Sequence, residues 1–340
     1  MKKKGVKLNN WSEINKVHHC NFLENTLPDK CANLIIADPP YYKVKGDFDF
    51  IWKTFEYYLK DVEKWAVECK RLLADNGSLL WYGHAKNIAY SQIIFDKYFN
   101  LENNLVWWVY DRRTNKGIEK FRSFAPVTER ILFYSNEINK TGLQKIYDSP
   151  DCFKSIKKYM RDERSEVIKE NNFKTIEEFN LYIRKVTDTS SVVDHHYFAD
   201  SQYVFPTEEM YKKLQTTGFW RREYEELRRE YEELCREYEE LRRPFNNELK
   251  LTDVIKFSQE GHKIKKYDHE TVKPEALTTA LIEKCSRKGD LVVIPFSGSG
   301  TECAMSAKSS RDFIAYDIEK KYADMSNERA SHEISQGILF

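Results

Sequence analysis

The stretch Asn33-Leu34-Ile35-Ile36-Ala37-Asp38-Pro39-Pro40-Tyr41 decides the fold. Leu34 to Ala37 is a short apolar run without alternation, the pattern of a strand buried on both faces of a parallel sheet. Proline has no backbone N–H and cannot continue a central strand, so the chain leaves the sheet at Asp38. A carboxylate, free carbonyls and an aromatic ring thereby gather at the carboxyl edge of a strand, where open α/β sheets bind their ligands. Such a set suits an amino group on a planar base. Asp38 and a proline carbonyl can accept its two N–H bonds, and Tyr41 can stack on the ring. For Asp-Pro alone a strand and a tight turn would be explanation enough; the full Asp-Pro-Pro-Tyr after an apolar run favours a site.

Around this strand the pattern alternates. Residues 1–10 are polar and basic and read as a loose terminus. Residues 11–27 lead into the first strand, with a short helix starting near Phe22. Phe50 to Leu73 carries apolar residues at helical spacing (Phe55, Leu59, Val62, Trp65, Ala66, Cys69, Leu72) and reads as a covering helix. Asn76-Gly77 predicts a turn. A strand over Ser78–Tyr82, a helix over about Asn87–Tyr98, and strands over Leu105–Tyr110 and Glu129–Tyr134 follow. Alternation of this kind predicts a parallel sheet with helices on both faces. Between the last two strands, Asp111 to Ala125 is polar and holds Arg112, Arg113, Lys116, Lys120 and Arg122. It reads either as a solvated loop or as a loop that contacts phosphates near the sheet edge.

From about residue 136 to 250 the strand signal is absent and the chain is helical in flavour. Asp194-His195-His196-Tyr197-Phe198 lacks a third ligand at a useful spacing, so structural or nucleic-acid contacts are expected there ahead of a metal. A heptad repeat runs over residues 222–242, with Tyr224, Tyr231 and Tyr238 and Leu227, Leu234 and Leu241 as a 3–4 apolar stripe. Glu225 to Arg229 and Glu232 to Arg236 are candidate i,i+4 pairs. Three heptads are marginal for a stable coiled coil, which favours an amphipathic helix lying on its own domain over a spacer arm.

The sheet pattern then resumes. Lys273-Pro274-Glu275-Ala276-Leu277 opens a helix, and Leu291 to Ile294 is an apolar strand. Pro295-Phe296-Ser297-Gly298-Ser299-Gly300-Thr301 follows it directly, then a helix, then a strand ending at Asp317. Strand, glycine-rich turn, helix, strand and terminal acid form a nucleoside-binding unit. The glycines let the backbone approach a ligand, and the acid can accept both ribose hydroxyls. No Walker lysine follows the glycines, which disfavours a nucleoside triphosphate, and the third glycine of a dinucleotide fingerprint is missing.

Composition bounds the function. With 55 Lys and Arg against 54 Asp and Glu, net +1, no polyanion partner is announced by bulk charge, so a basic footprint must be local. The seven cysteines show neither a C-x-x-C pair nor Cys/His ligand spacing, which argues against zinc and against a disulfide framework and fits a reducing cytoplasm. No signal peptide or long apolar run is present, so neither secretion nor a membrane is expected.

Taken together, Asp38-Pro39-Pro40-Tyr41 and Pro295–Thr301 resemble the amino-methyltransferases of DNA. The order, catalytic motif first and cofactor motif last, is similar to their permuted β group, and Lys273-Pro274 matches the motif flanking the cofactor. The resemblance covers about residues 20–135 and 265–330. It implies an α/β, Rossmann-like, S-adenosylmethionine-dependent methyltransferase fold: residues 11–135 as the catalytic half, 136–250 as a mainly helical inserted target-recognition region, and 251–340 as the cofactor half. It implies double-stranded DNA as partner and a flipped-out base as acceptor, in a prokaryotic or phage-encoded cytoplasmic protein. It leaves room for a homodimer and for a cognate restriction nuclease.

The Asp form of the catalytic motif resembles adenine-N6 enzymes more than cytosine-N4 ones. Asp38, Pro39, Pro40 and Tyr41 are then the catalytic set. Asn21, Lys273, Pro295, Phe296, Ser297, Gly298, Ser299, Gly300, Thr301 and Asp317 are the donor set, and the basic residues of the 111–125 loop are DNA contacts; no metal is called for. Two positions depart from the family pattern: Ile294 stands where an acid usually precedes Pro-Phe, and Asn21 where Asp is usual. They keep open a non-catalytic DNA-binding or assembly protein that retains the fold; independently of them, a cytosine-N4 enzyme is the alternative among the methyltransferases.

Overall fold

The computed structural model describes residues 14–44, 47–110, 122–136, 153–189, 196–199, 203–246, 248–259 and 272–337. Its contacts divide into two compact units, residues 1–139 with 243–340, and residues 140–242. The strands are β1 (Lys16–His19), β2 (Ala32–Ala37), β3 (Leu73–Gly83), β4 (Asn100–Trp108), β5 (Thr128–Ser135), β6 (Val254–Lys256), β7 (Leu291–Ile294) and β8 (Asp312–Asp317). The α-helices are α1 (Phe55–Leu72), α2 (Ile88–Phe95), α3 (Lys154–Glu170), α4 (Ile176–Thr187), α5 (Glu208–Gln215), α6 (Tyr224–Leu241), α7 (Glu275–Cys285), α8 (Thr301–Lys308) and α9 (Lys320–Gly337).

In the first unit all eight strands form one sheet in the order β1-β8-β7-β2-β3-β5-β4-β6. β2 lies inside it, parallel to β7 and to β3. Its side chains alternate between two cores. Ala32, Ile35 and Ala37 pack with α1 and α2 on one face; Leu34 and Ile36 pack with α7, α8 and α9 on the other. The continuous apolar run thus reflects burial on both sides. At about 2 kcal/mol for each fully buried aliphatic side chain, this strand anchors both layers.

Two expectations need correction. The sheet is not all parallel: β5 runs antiparallel to both β3 and β4. Parallel neighbours need a crossover, usually a helix, and the polar segment joining β4 to β5 carries no helical stripe. The Asn76-Gly77 turn is not a chain reversal either. β3 runs through it, with Leu73 opposite Ala32 and Ser78 already opposite Leu34. Ala74 to Gly77 therefore bulge out of the ladder opposite Asn33. A Cβ on Gly77 would lie 2.7 Å from Leu73 Cδ1, so a side chain there would have to displace Leu73.

The second unit is helical. Ile156, Met160, Phe179, Ile183, Tyr211 and Trp220 are buried in its core. The heptad helix α6 turns Tyr224, Leu227, Tyr231 and Leu234 of its stripe inward. Leu227 is fully buried, and Tyr231 stacks on Phe205 at 4.4 Å and on Phe153 at 4.9 Å. The charged face pairs as Arg222–Glu226 at 3.0 Å and Arg228–Glu232 at 2.9 Å, a different set from the one the repeat suggests. Tyr197 and Phe198 join the same core, while Asp194 and His195 lie outside the described residues. Among the described residues no helix is long and apolar enough to cross a membrane, and no cluster of His, Cys, Asp or Glu is placed to hold a metal ion.

Candidate active site

β1, β2, β3, β7 and β8 run the same way, so their carboxyl ends share one edge of the sheet. β4 and β6 also end there, and β5 begins there. Asp38, the start of β5 at Glu129, the turn after β7 and Asp317 are thus gathered by topology alone. They line one cavity of about 670 Å³ in the first unit, within the range of small-molecule sites.

Asp38 stands one residue beyond β2. Tyr41 donates its hydroxyl to Asp38 Oδ1, and Lys273 Nζ lies 2.6 Å from Oδ2. The same ammonium reaches the Tyr41 hydroxyl at 3.3 Å and Glu129 at 3.9 Å. Lys273 is 4% exposed. Burial alone would lower its pKa, but the carboxylates of Asp38 and Glu129 outweigh it, so the lysine is held charged. Burial, then the Asp38 charge, push the Tyr41 phenol well above its ordinary value, so it remains a donor. Each oxygen of Asp38 is thus fixed by one donor and keeps lone pairs for another.

The loop beyond is held by groups the sequence reading passed over. The Tyr41 N–H donates to Asp49 Oδ1 at 2.6 Å, and the Lys43 N–H to the Asp49 carbonyl at 2.7 Å. Asn87 Nδ2 donates to the carbonyls of Tyr41 and Tyr42. Tyr42 and Lys43 are both left-handed, with φ of 62° and 52°. Two non-glycine residues there cost about 1–2 kcal/mol each. Asp49 and Asn87 hold that conformation in place.

On the other side of the cavity, Asp317 Oδ2 accepts from the Gly298 N–H at 2.9 Å, and Oδ1 from the Glu319 N–H at 2.9 Å. The acid expected to meet a ribose also fastens the glycine turn. Burial raises its pKa, against the opposing hydrogen bonds. Arg329 of α9, which no sequence motif marks, donates to the Ser299 carbonyl at 3.0 Å and to Thr301 Oγ1 at 2.9 Å, and pairs with Glu275 at 2.6 Å. Gly300 has φ of 74°, and a Cβ on it would lie 2.7 Å from Ser326 Cα. Gly300→Ala is therefore expected to lower the stability of the fold by about 2 kcal/mol. A lower urea midpoint at unchanged slope would show it.

Of the expected donor residues, Asn21, Pro295, Phe296, Ser297, Gly298, Ser299 and Asp317 line the cavity. Asn21 caps a short 3-10 helix, its side chain accepting from the Leu23 N–H at 3.0 Å. Gly300 and Thr301 are not part of the lining; Thr301 bonds back to the Lys273 carbonyl at 3.3 Å. Lys273 itself is placed on Asp38. Ile294 is fully buried in the apolar core. Arg112, Arg113, Lys116 and Lys120 lie outside the described residues, and Arg122 is exposed. Glu129 and Glu302 are among the lining carboxyls that the sequence does not single out. Glu129 opens the antiparallel strand, and Glu302 follows Thr301 at the start of α8, where an acid next to the glycine motif was a legible signal.

The DNA methylase family model for N6 and N4 enzymes matches residues 32–328. The type II methyltransferase M1.MboII of Moraxella bovis is 24% identical over 324 residues, covering 93% of this chain and 96% of that protein. The DNA adenine methyltransferase YhdJ of Escherichia coli (strain K12) is 22% identical over 313 residues, covering 90% of this chain and 79% of that one. Among solved structures, the cytosine-N4-specific PvuII DNA methyltransferase is similar at a TM-score of 0.50 and 11% identity, covering 94% of this chain and 91% of that one. The family match spans both motifs and everything between them, and the chain belongs to the DNA methylase family, whose members are S-adenosylmethionine-dependent methyltransferases.

Proposed function

We propose that this methylase modifies the exocyclic amine of adenine in double-stranded DNA, at a specific sequence, after the base has turned out of the helix into the cavity. The observation that supports this most is the seating of Asp38, held between Tyr41 and Lys273, in the same cavity as the Gly298 turn. Asn21, the Pro295–Ser299 segment and Asp317 would hold the methyl donor. They fit a nucleoside with a charged tail, since the backbone of the glycine turn is open to the cavity and the buried carboxyl of Glu302 has one oxygen without a protein partner among the described residues. S-adenosylmethionine, when bound, supplies an electrophilic methyl group on a sulfonium.

The chain supplies the rest. An exocyclic amine is a poor nucleophile because its lone pair is delocalised into the ring. Accepting one N–H at Asp38 and the other at the Pro39 carbonyl draws the lone pair back onto nitrogen and aims it. With the donor bound, the amine nitrogen would take its methyl group as the sulfur leaves with the S–C electron pair, and the surplus N–H proton would pass by way of Asp38 to water. Fixed acceptors and orientation carry such a step without a metal or a covalent intermediate. Because the Tyr41 hydroxyl is bonded to Asp38, Tyr41 aligns the carboxylate as well as offering its ring to the base. Asp38 and Tyr41 carrying an adenine rather than a cytosine is the preference of this motif form. Label from S-adenosylmethionine recovered as N6-methyladenine in duplex DNA is the expected result; recovery as N4-methylcytosine would overturn the base assignment.

DNA would approach from the β3-β5-β4-β6 side of the edge. Trp108 and Tyr110 are exposed there, and Lys256 Nζ lies 5.2 Å and 4.7 Å from their ring centroids. Aromatic faces beside a cation suit nucleic acid. Arg122 and, on the same connection, Arg112, Arg113, Lys116 and Lys120 would meet phosphates, and the 136–250 region would read the sequence. Stacking is worth about 1–3 kcal/mol per base, so the double variant Trp108→Ala, Tyr110→Ala should weaken duplex binding at least about tenfold. Donor affinity should stay unchanged, both being read by titration at fixed salt.

A further inference from the structure

One buried carboxyl in the cavity has no part in the steps above. Glu302, the second residue of α8, is 4% exposed and lines the cavity with Asp38 and Lys273. Its Oε1 has no hydrogen-bond partner among the described residues. The cations near it are engaged elsewhere, Lys273 on Asp38 and Arg329 on Glu275 and the glycine turn. Burial, with the Asp38 charge adding to it, pushes the Glu302 carboxyl up to about 7. An acid in the first turn of a helix is ordinarily explained by the helix dipole. Such an acid keeps its charge at the surface, however, whereas this one is closed into a cavity beside a second carboxylate. A group that costs the empty protein stability is accounted for when a ligand brings the missing partner.

We propose that Glu302 is the counter-charge for the cationic end of the methyl donor. The inference rests on the reading of this cavity as the S-adenosylmethionine site. The donor carries a sulfonium and an ammonium, separated by a short chain, and the remaining lining charges near Glu302 are a carboxylate and an already paired lysine. The carboxylate that the glycine motif lacks at position 294, where Ile294 is sunk in the apolar core, is thus offered from the far side of the turn.

The test is calorimetric titration of the full chain and its Glu302→Gln variant with S-adenosylmethionine and with S-adenosylhomocysteine, whose sulfur is neutral. Glutamine keeps the shape and removes the charge, and the variant is expected to melt no lower than the parent at pH 8. Affinity for S-adenosylmethionine should fall at least tenfold. A smaller fall for S-adenosylhomocysteine assigns Glu302 to the sulfonium; an equal fall in a variant that melts normally assigns it to the ammonium, which both ligands share. If Glu302→Gln binds both ligands as tightly as the parent, the proposal is overturned while the site reading stands. If the parent binds neither, the site reading fails and the proposal with it.

Discussion

Replacing Asp38 with alanine should lower methyl transfer to duplex DNA by at least about 10³-fold, roughly 4 kcal/mol of transition-state stabilisation. The carboxylate accepts from Tyr41 on one oxygen and from Lys273 on the other, so it is oriented before any substrate arrives. That preorganisation is lost with the side chain, and no other acceptor on the β2 edge replaces it. The loss should fall on kcat, because the amine is gripped most tightly when its lone pair is committed to the methyl carbon. Binding of S-adenosylmethionine should persist, since the glycine turn is fastened by Asp317 and Arg329 rather than by Asp38. Asp38→Asn keeps an acceptor oxygen and should retain more activity than Asp38→Ala. Single-turnover kinetics with labelled donor, beside a donor titration, separates these effects. Transfer by Asp38→Ala within tenfold of the parent would rule out amine activation by this residue.

The parts of this site that could be read from the sequence are those where one residue type has few other uses at that place. Two prolines straight after an apolar run fix where β2 must end, and a glycine pair between a strand and a helix fixes the turn after β7. Both statements rest on backbone constraints that act within a few residues. What could not be read depends on distant pairing. Lys273 looked like part of the donor motif because it precedes that motif in the chain, yet the fold lays its ammonium on Asp38, 235 positions away. In the sequence, Glu129 reads as an ordinary strand residue. Its place at the cavity follows from the reversed direction of β5, which brings the start of that strand to the carboxyl edge. Arg329 sits in an amphipathic helix with nothing local to mark it. The heptad repeat shows the opposite case. Three heptads are marginal for a coiled coil and favour a helix lying on its own domain, and Phe153 and Phe205 of the same unit do occupy the Tyr231 face.

Lys273→Met should be the most destabilising single change in the cavity, and its cost should depend on pH in a defined direction. In the parent, one buried ammonium lies among three carboxyls, bonded to Asp38, within 3.9 Å of Glu129 and lowering the pKa of Glu302. The lysine's own pKa is raised, so its stabilising contribution is complete at neutral pH and is lost only at alkaline pH, as the ammonium deprotonates. Methionine fills much of the volume but leaves the carboxylates facing each other without a cation. Removing one member of a buried pair costs about 3–5 kcal/mol, which for a unit of this size lowers the melting temperature by roughly 10 °C. In the variant, Glu302 titrates still higher than in the parent, because the Lys273 charge that lowers it is gone. Groups whose folded pKa lies above the unfolded value destabilise most when the pH is high enough to ionise them, and the penalty shrinks as protons return. The gap between parent and Lys273→Met should therefore be widest at pH 8 and clearly narrower at pH 5.5. Lys273→Arg, which keeps the charge, should recover most of the stability at pH 8. Melting curves of the three proteins at the two pH values give the answer, and a gap that is the same at both would mean that Lys273 holds the fold by packing alone and that the carboxyls around it do not depend on its charge.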